Sequence, residues 1–406
     1  MPTPVVLLFR AAFVAAVVLT VAGCGKEAPP PPPSKAAVQP KPPAAPLVVR
    51  VGFAAPLSGS GAHIGIDARN GAQLAIDRLN AGGEEIGKRK VTFELIVVDD
   101  EATPAVAAAV AQKLVDAKVV AVVGHINSGA SIEASRVYAE AGIPQLSPAS
   151  THPQYTRQGY STTFRLVATD DLQAPVLALF ALDSGAKKIA VVDDATLYGK
   201  GLADAFAAAA RAGGAKIVAR ESLAGGDAGM KTSLGRIQAA QPDVVMCGSG
   251  DVTAGTLLRQ LRTLGVKARF LGADAIKTPR FITLAGKASE GAVASAPGIP
   301  RERLPGGDGF AQSFRQKFNA EVELFAPMAY DAVNVIAEAM RRAGAVEPAR
   351  FLPELGKVQW RGVSGAIAFD ANGDLREGPI TISSVNDGRW EPVQIILMAQ
   401  SGAEKK

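Results

Sequence analysis

The chain has 406 residues, with 43 Lys and Arg against 38 Asp and Glu and a net charge of +5. Spread over that length, and gathered only into pairs such as Lys187-Lys188 and Arg341-Arg342, the surplus describes a solvated surface and excludes the dense basic patch of a nucleic-acid binder. From about Leu47 to the end the chain is longer than the roughly 250 to 300 residues at which a single hydrophobic core stops growing, so two lobes are expected.

Residues 1–23 read as an export signal. Arg10 supplies a positive charge, and an apolar run from Ala11 to Ala22 follows, shorter than the ~20 residues a spanning helix needs. The run ends at Val21-Ala22-Gly23-Cys24, a small-small-Cys pattern that resembles a bacterial lipobox, in which a lipid is attached to the cysteine and the preceding peptide is removed. The alternative is an ordinary export signal with a cysteine at its cleavage site. Residues 24–46 then hold the lipidated Cys24 and a Pro/Ala-rich stretch, expected to be a semi-extended tether between a membrane and a folded body. With Cys24 lipidated, Cys247 is the one remaining thiol, which leaves no intramolecular disulfide and no C-x-x-C redox or metal site.

From Leu47 onward, short β-branched runs alternate with Ala-rich helical stretches. Strands are expected at 48–53, 91–98, 119–123, 189–192, 217–220, 244–247 and 270–273. Helices are expected at 71–80, 104–117, 131–141, 201–212, 231–239 and 253–264. This alternation predicts an α/β fold of doubly wound parallel sheets. The pattern then changes to two successive helices at 310–318 and 328–342, followed by strands from Gly362. An Asn386-Asp387-Gly388 turn separates strands at 380–384 and 393–397. Late strands that return to an earlier sheet imply several crossings between lobes. The expected division is 47–169 plus 298–378 for one lobe and 170–297 plus 379–406 for the other.

In doubly wound sheets ligands sit beyond the carboxyl ends of the strands. There the first strand runs into Pro56-Leu57-Ser58-Gly59-Ser60-Gly61, and another ends in Gly124-His125-Ile126-Asn127-Ser128-Gly129-Ala130-Ser131. The next ends in Ser147-Pro148-Ala149-Ser150-Thr151. Hydroxyls and amides at such turns suit a carboxylate, although Ser128, Ser131 or Thr151 taken singly also suits a helix cap. The later strand tips have the opposite polarity: Asp170 and Asp171 follow one, Tyr198 another and Asp274 a third. Carboxylates opposite a hydroxyl-lined anion site suit a zwitterion.

Ala55-Pro56-Leu57-Ser58-Gly59, the segment 71–80, the turn 124–131, Ser147-Pro148-Ala149-Ser150-Thr151-His152-Pro153, Phe164-Arg165, Tyr198-Gly199-Lys200-Gly201 and Ala329-Tyr330-Asp331-Ala332 follow one another along the body. Taken together in that order, they resemble the leucine/isoleucine/valine-binding family of periplasmic transport receptors. The resemblance implies a Venus-flytrap of the periplasmic binding protein type I, two doubly wound parallel-sheet lobes joined by a three-strand hinge. It implies no cofactor, a branched-chain-type amino acid as ligand, and the permease and ATPase of an ABC transporter as partners. The setting would be the periplasm, with the membrane reached only through the lipid on Cys24. Carried over by position, Ser128 and Thr151 would hydrogen-bond the ligand carboxylate, joined by the backbone of Ala149. Tyr198 would close over the ligand, and Asp274, where the family often has Glu, would pair with the α-ammonium. Asp170 would add negative potential. Two aromatic residues that often cover the ligand align with Ile64 and Gly250, so the side-chain end of this pocket is roomier and admits a bulkier amino acid or another small carboxylate or amide.

Gly225 to Thr232 almost spells a phosphate-binding loop, but Met230 separates the glycine from Lys231, so a loop and helix start is expected instead. His63, His125 and His152 lie on separate loops without metal-site spacing, and His63 and His125 are candidates to line the cleft. No G-x-S-x-G elbow is present, which leaves a secreted hydrolase with little support. A sensor built on the same clamshell is the main alternative to a transport receptor.

Overall fold

The computed structural model describes residue 25, residues 46–223 and residues 226–397. The expected export signal, Cys24 and nearly all of the tether lie outside the described residues. The body begins with β1 (Leu47–Ala55), α1 (Ala62–Gly82), β2 (Glu85–Ile86), β3 (Arg89–Asp99) and α2 (Pro104–Asp116). It continues with β4 (Ala121–Gly124), α3 (Ser128–Glu140), β5 (Gln145–Ser147) and β6 (Thr163–Arg165). These strands form one sheet in the order β2-β3-β1-β4-β5-β6, parallel except for the short edge strand β2.

The chain then crosses over through α4 (Asp170–Asp183) and lays down β7 (Lys188–Asp193), α5 (Leu197–Ala212), β8 (Lys216–Ser222) and α6 (Gly226–Ala240). After these come β9 (Val244–Gly248), α7 (Asp251–Thr263), β10 (Arg269–Gly272), α8 (Pro279–Ala285) and β11 (Val293–Pro297). It returns to the first lobe with α9 (Gly307–Phe318), α10 (Ala326–Ala343), α11 (Pro348–Leu355) and a small hairpin of β12 (Gln359–Gly362) and β13 (Gly365–Ala368). A last crossing delivers β14 (Ile380–Asn386) and β15 (Arg389–Ile396), which add antiparallel to the second sheet. That sheet runs β15-β14-β11-β10-β9-β7-β8. The two lobes are thus linked by three crossings, after β6, after β11 and before β14.

Each sheet is covered on both faces, which is why its central strands read as unbroken apolar runs. Every residue of β9, Val-Val-Met-Cys-Gly, is buried. Leu114 on one side of the first sheet and Phe206 on one side of the second are fully buried, each contributing roughly 2 kcal/mol by removal of apolar surface from water. The amino end of α10 is fixed to α1 by the buried Asp67, whose carboxylate accepts backbone N–H groups from Glu323, Leu324, Phe325 and Ala326 at 2.9 to 3.1 Å. Two donors at the helix start and two in the loop that leads into it are satisfied by one side chain.

The differences from the sequence reading have local causes. Helix α1 begins well before residue 71, because Gly65 and Gly71 serve close packing and do not break it. A Cβ on Gly65 would lie 1.9 Å from the Pro56 carbonyl oxygen, and one on Gly71 would lie 2.1 Å from that of Ala326. Strand β15 starts at Arg389, ahead of the expected 393, since Asn386 pairs directly with Arg389 across a two-residue turn. Both turn residues, Asp387 (φ 48°) and Gly388 (φ 71°), take the left-handed conformation that such a hairpin requires.

Candidate functional site

Ser128, Ala149, Thr151, Asp170, Tyr198 and Asp274 all lie just past the carboxyl ends of parallel strands: β4, β5 (two residues), β6, β7 and β10 respectively. Tyr198 is half-buried and the other five are buried.

The hydroxyl-rich side is built on a polar scaffold beneath the surface. His125 is fully buried, with Nδ1 2.6 Å from Asp100 Oδ2 and Nε2 3.2 Å from the Tyr138 hydroxyl. Its carbonyl accepts hydrogen bonds from Ser131 Oγ (3.1 Å) and Ser147 Oγ (2.7 Å). The expectation that His125 lines the cleft is therefore corrected: its ring points inward and its carbonyl organises the two turns. Ser147 Oγ in turn accepts the amides of Ala149 (3.3 Å) and Ser150 (2.9 Å), and Ser128 Oγ accepts the amide of His152 (3.3 Å). Arg165, fully buried, donates to the carbonyls of Ser150 (2.7 Å) and His152 (3.1 Å), to Thr156 Oγ1 (2.8 Å) and to Asp374 Oδ1 (2.5 Å). The loop that carries Ala149 and Thr151 is thus pinned on both flanks of Thr151. The Thr151 hydroxyl itself is buried and faces the Asp170 carboxyl, close enough to favour its ionised form but without a well-aligned hydrogen bond.

The acidic side is equally unsatisfied. Asp170 opens α4, and its amide donates to the Thr151 carbonyl at 2.9 Å. Both of its carboxylate oxygens are buried without a hydrogen-bond partner. Burial, reinforced by the charge of Asp274, pushes its carboxyl up to about 8. Asp274, in a 3₁₀ turn Asp274–Ile276, is pushed up to about 6 by burial. Its Oδ1 accepts from Gln173 Nε2 (3.2 Å) and from the Tyr198 hydroxyl (3.3 Å). Burial and the two neighbouring carboxylates hold the Tyr198 phenol well above its ordinary range. Two buried carboxyls and a phenol thus converge beside a hydroxyl and a helix start, and the charge of Arg165, which is already bound to Asp374, offsets that of Asp170 only in part. Buried charge of one sign calls for a partner of the other.

Gln173 escaped the sequence reading. It lies three residues after Asp170 on the same face of α4, a spacing that brings side chains together, and Ser295 Oγ donates to its Oε1 at 3.4 Å. His63, on α1, does reach across the cleft: its Nε2 is 2.8 Å from Asp251 Oδ2 at the start of α7. Cys247 is buried in β9 with its thiol pushed up to about 12 by burial, an unreactive packing residue. Gly225 lies outside the described residues, and α6 starts at Gly226. Among the described residues no group of three or more His, Cys, Asp and Glu side chains is placed to hold a metal ion. A cavity of about 340 Å³ lies at the interlobe crossings, lined by Leu166, Ala168, Ile299, Met328, Leu375 and Pro379 among others, and it contains none of the six residues above.

Residues 48–389 match the periplasmic binding protein family. A leucine-, isoleucine-, valine-, threonine- and alanine-binding protein of Pseudomonas aeruginosa is 31% identical over 337 residues, 82% of this chain and 89% of that one. The substrate-binding protein of a branched-chain amino acid transporter from Streptococcus pneumoniae, solved with isoleucine, superposes with a TM-score of 0.78 at 27% identity, covering 86% of this chain and all of that one. A solute-binding protein of an ABC transporter from R. palustris, solved with benzoate, shares the fold with a TM-score of 0.78 at 19% identity, covering 87% and 98%. With its two parallel-sheet lobes of the type I arrangement and a match that spans nearly the whole body, the chain belongs to the periplasmic binding protein family of solute-binding proteins.

Proposed function

We propose that this chain is an extracytoplasmic solute-binding lipoprotein that captures a branched-chain-type amino acid between its lobes and delivers it to the permease and ATPase of an ABC transporter. The observation that carries the reading is the pair Asp170 and Asp274, buried beside the Thr151 hydroxyl, with Asp170 held well above the ordinary carboxylate range despite the nearby charge of Arg165. In this reading the α-ammonium lies between the two carboxyls and Tyr198. The α-carboxylate takes the Thr151 and Ser128 hydroxyls and the Ala149 backbone. Closure of the lobes on the bound zwitterion is the event a permease would sense.

A second reading, a small carboxylate without an amine, is favoured by the absence of aromatic residues at Ile64 and Gly250 and by the fold shared with a benzoate-binding protein. It fits less well, because such a ligand brings a negative charge toward two carboxyls. A thermal-shift screen of the purified protein against amino acids and amine-free carboxylates separates the two, since a ligand of the folded state raises the melting temperature by mass action. A rise with Leu, Ile or Val supports the proposal. A rise with amine-free carboxylates alone replaces it. Lipidation is tested on its own: Cys24→Ala is expected to shift the protein from the membrane to the soluble fraction.

A further inference from the structure

His63 stands in the first turn of α1, on the lobe of the six-stranded sheet, and Asp251 opens α7 on the other lobe. Their side chains meet at 2.8 Å across the cleft and are largely shielded from solvent, with 14% and 4% of the side-chain surface exposed. Asp251 Oδ2 also accepts the Thr278 hydroxyl at 2.6 Å, so the carboxylate is held ready on its own lobe. His63 Nδ1 is buried without a partner. The pair adjoins Ile64 and Gly250, where the resemblance expects two covering aromatic rings. An ionic bridge therefore occupies the place where apolar cover is missing. We propose that His63 and Asp251 are a positioning pair that clasps the two lobes around the captured solute, and that the clasp holds best when the imidazole carries a proton.

Three charged groups face His63: Asp251 from α7, Glu323 with Oε2 at 4.0 Å from the loop before α10, and Arg280 from α8. The Asp251 hydrogen bond raises the imidazole above its ordinary range, and the charges of Asp251 and Glu323 add to this against burial and Arg280. When the lobes part, the Asp251 contact is lost and the imidazole returns toward about 6.5. Closure consequently takes up a proton. The clasp is complete below about pH 6.5 and weakens as pH rises through the value His63 holds in the closed form. Asp170 acts in the opposite direction, because a bound ammonium lowers the carboxyl's pKa and drives its proton into solvent, so the clasp must be read as a difference between proteins.

The proposal rests on solute capture by closure, and its test carries a readout without solute. Affinity and urea unfolding of the full chain are compared with His63→Gln and Asp251→Asn from about pH 5.5 to 8.5, the span in which an imidazole titrates. The affinity advantage of the native chain over His63→Gln is expected to shrink with rising pH, by up to about tenfold per pH unit, one proton being the limit. Whatever fraction of the solute-free protein is closed carries the same pH dependence in its stability advantage, and only the open fraction carries it in affinity. Advantages that stay flat with pH in both measurements overturn the clasp. A stability advantage that falls with pH in a protein that binds no amino acid leaves the clasp standing and removes the solute reading.

Discussion

Arg165 and Asp374, 209 residues apart in sequence, meet at 2.5 Å with the guanidinium fully buried, and this bond ties the loop bearing Thr151 to the strand-like segment that leads into the last interlobe crossing. Four further acceptors, the carbonyls of Ser150, His152 and Pro153 and the hydroxyl of Thr156, use up the remaining guanidinium donors. Removing one partner from a buried, hydrogen-bonded pair strands the other. Asp374→Ala is therefore expected to cost about 3 to 5 kcal/mol in urea unfolding. Arg165→Lys, which keeps the charge but loses the planar fork, is expected to weaken solute affinity out of proportion to its smaller stability loss. An Arg165→Lys protein with native affinity would show that the loop holds its shape unaided.

Thr151→Ala and Asp274→Asn remove, in turn, the Thr151 hydroxyl and one of the two carboxyls. In the proposed site each leaves a desolvated ligand group short of a partner, at about 1 to 3 kcal/mol, or roughly tenfold to a hundredfold in the dissociation constant. Without solute, the melting temperature of Thr151→Ala is expected to stay close to native and that of Asp274→Asn to rise at pH 7, because burial holds that carboxyl near 6. Titration calorimetry with the solute identified by the thermal-shift screen decides this, and native affinity in both variants would move the ammonium and carboxylate sites elsewhere.

Much of the fold is visible in the chain because buried parallel strands have no polar face to disguise. Strands β9 and β10 stand out as apolar runs between Asp and Gly. Helix α4 does not stand out: it is apolar on nearly every side, since it packs between α5 and the second sheet, and Pro175 interrupts it. Strand β11, Val-Ala-Ser-Ala-Pro, has weak strand character of its own and is held by β10 and β14 on either side. For the site, residues at strand tips could be proposed from order alone, and Tyr198 does meet Asp274. The partners Gln173, Arg165 with Asp374, and His63 with Asp251 depend on how distant elements pack, a relation no local pattern encodes.

Binding of an ammonium between Asp170 and Asp274 should release a proton. At pH 7 a carboxyl near 8 is mostly protonated, while one near 6 is mostly ionised, so the empty pair holds about one proton. A cation lowers both values and expels it. Calorimetry of the His63→Gln protein at pH 7, in which the clasp takes up no proton, in buffers of different ionisation enthalpy is expected to give a release approaching one proton per solute, vanishing above about pH 9. Asp170→Asn is expected to abolish most of the release.

The same Asp170 costs the empty protein stability. Its carboxyl is near 8 in the fold against 3.8 in the open chain, so the folded state binds the extra proton and stability falls as pH rises between those values. At about 1.4 kcal/mol per unit, the loss by pH 8 is on the order of 3 to 5 kcal/mol. Asp170→Asn is expected to unfold at a higher temperature than the native chain at pH 8, with the difference closing toward pH 4. This is a binding site whose function opposes its stability. A variant that gains nothing at pH 8 would mean that the carboxyl is less isolated than its missing hydrogen bonds imply.

Gly201, inside α5 on the second lobe, sits against the ring of His152 on the first. A Cβ at this position would come within 2.7 Å of His152 Cδ2 and 2.8 Å of Nε2, closer than side chains approach. Within a helix, alanine is otherwise favoured over glycine by roughly 0.5 to 1 kcal/mol. The two effects separate by conformation: the helix gains in both open and closed forms, while the clash exists only where the lobes meet. Gly201→Ala is therefore expected to keep or slightly raise the melting temperature without solute and to weaken solute binding roughly tenfold or more, since 1.4 kcal/mol of closure strain suffices for a factor of ten. His152→Ala in the same chain should restore affinity by removing the ring that the methyl meets. Weakened binding that His152→Ala does not rescue would place the obstruction within α5 and not between the lobes.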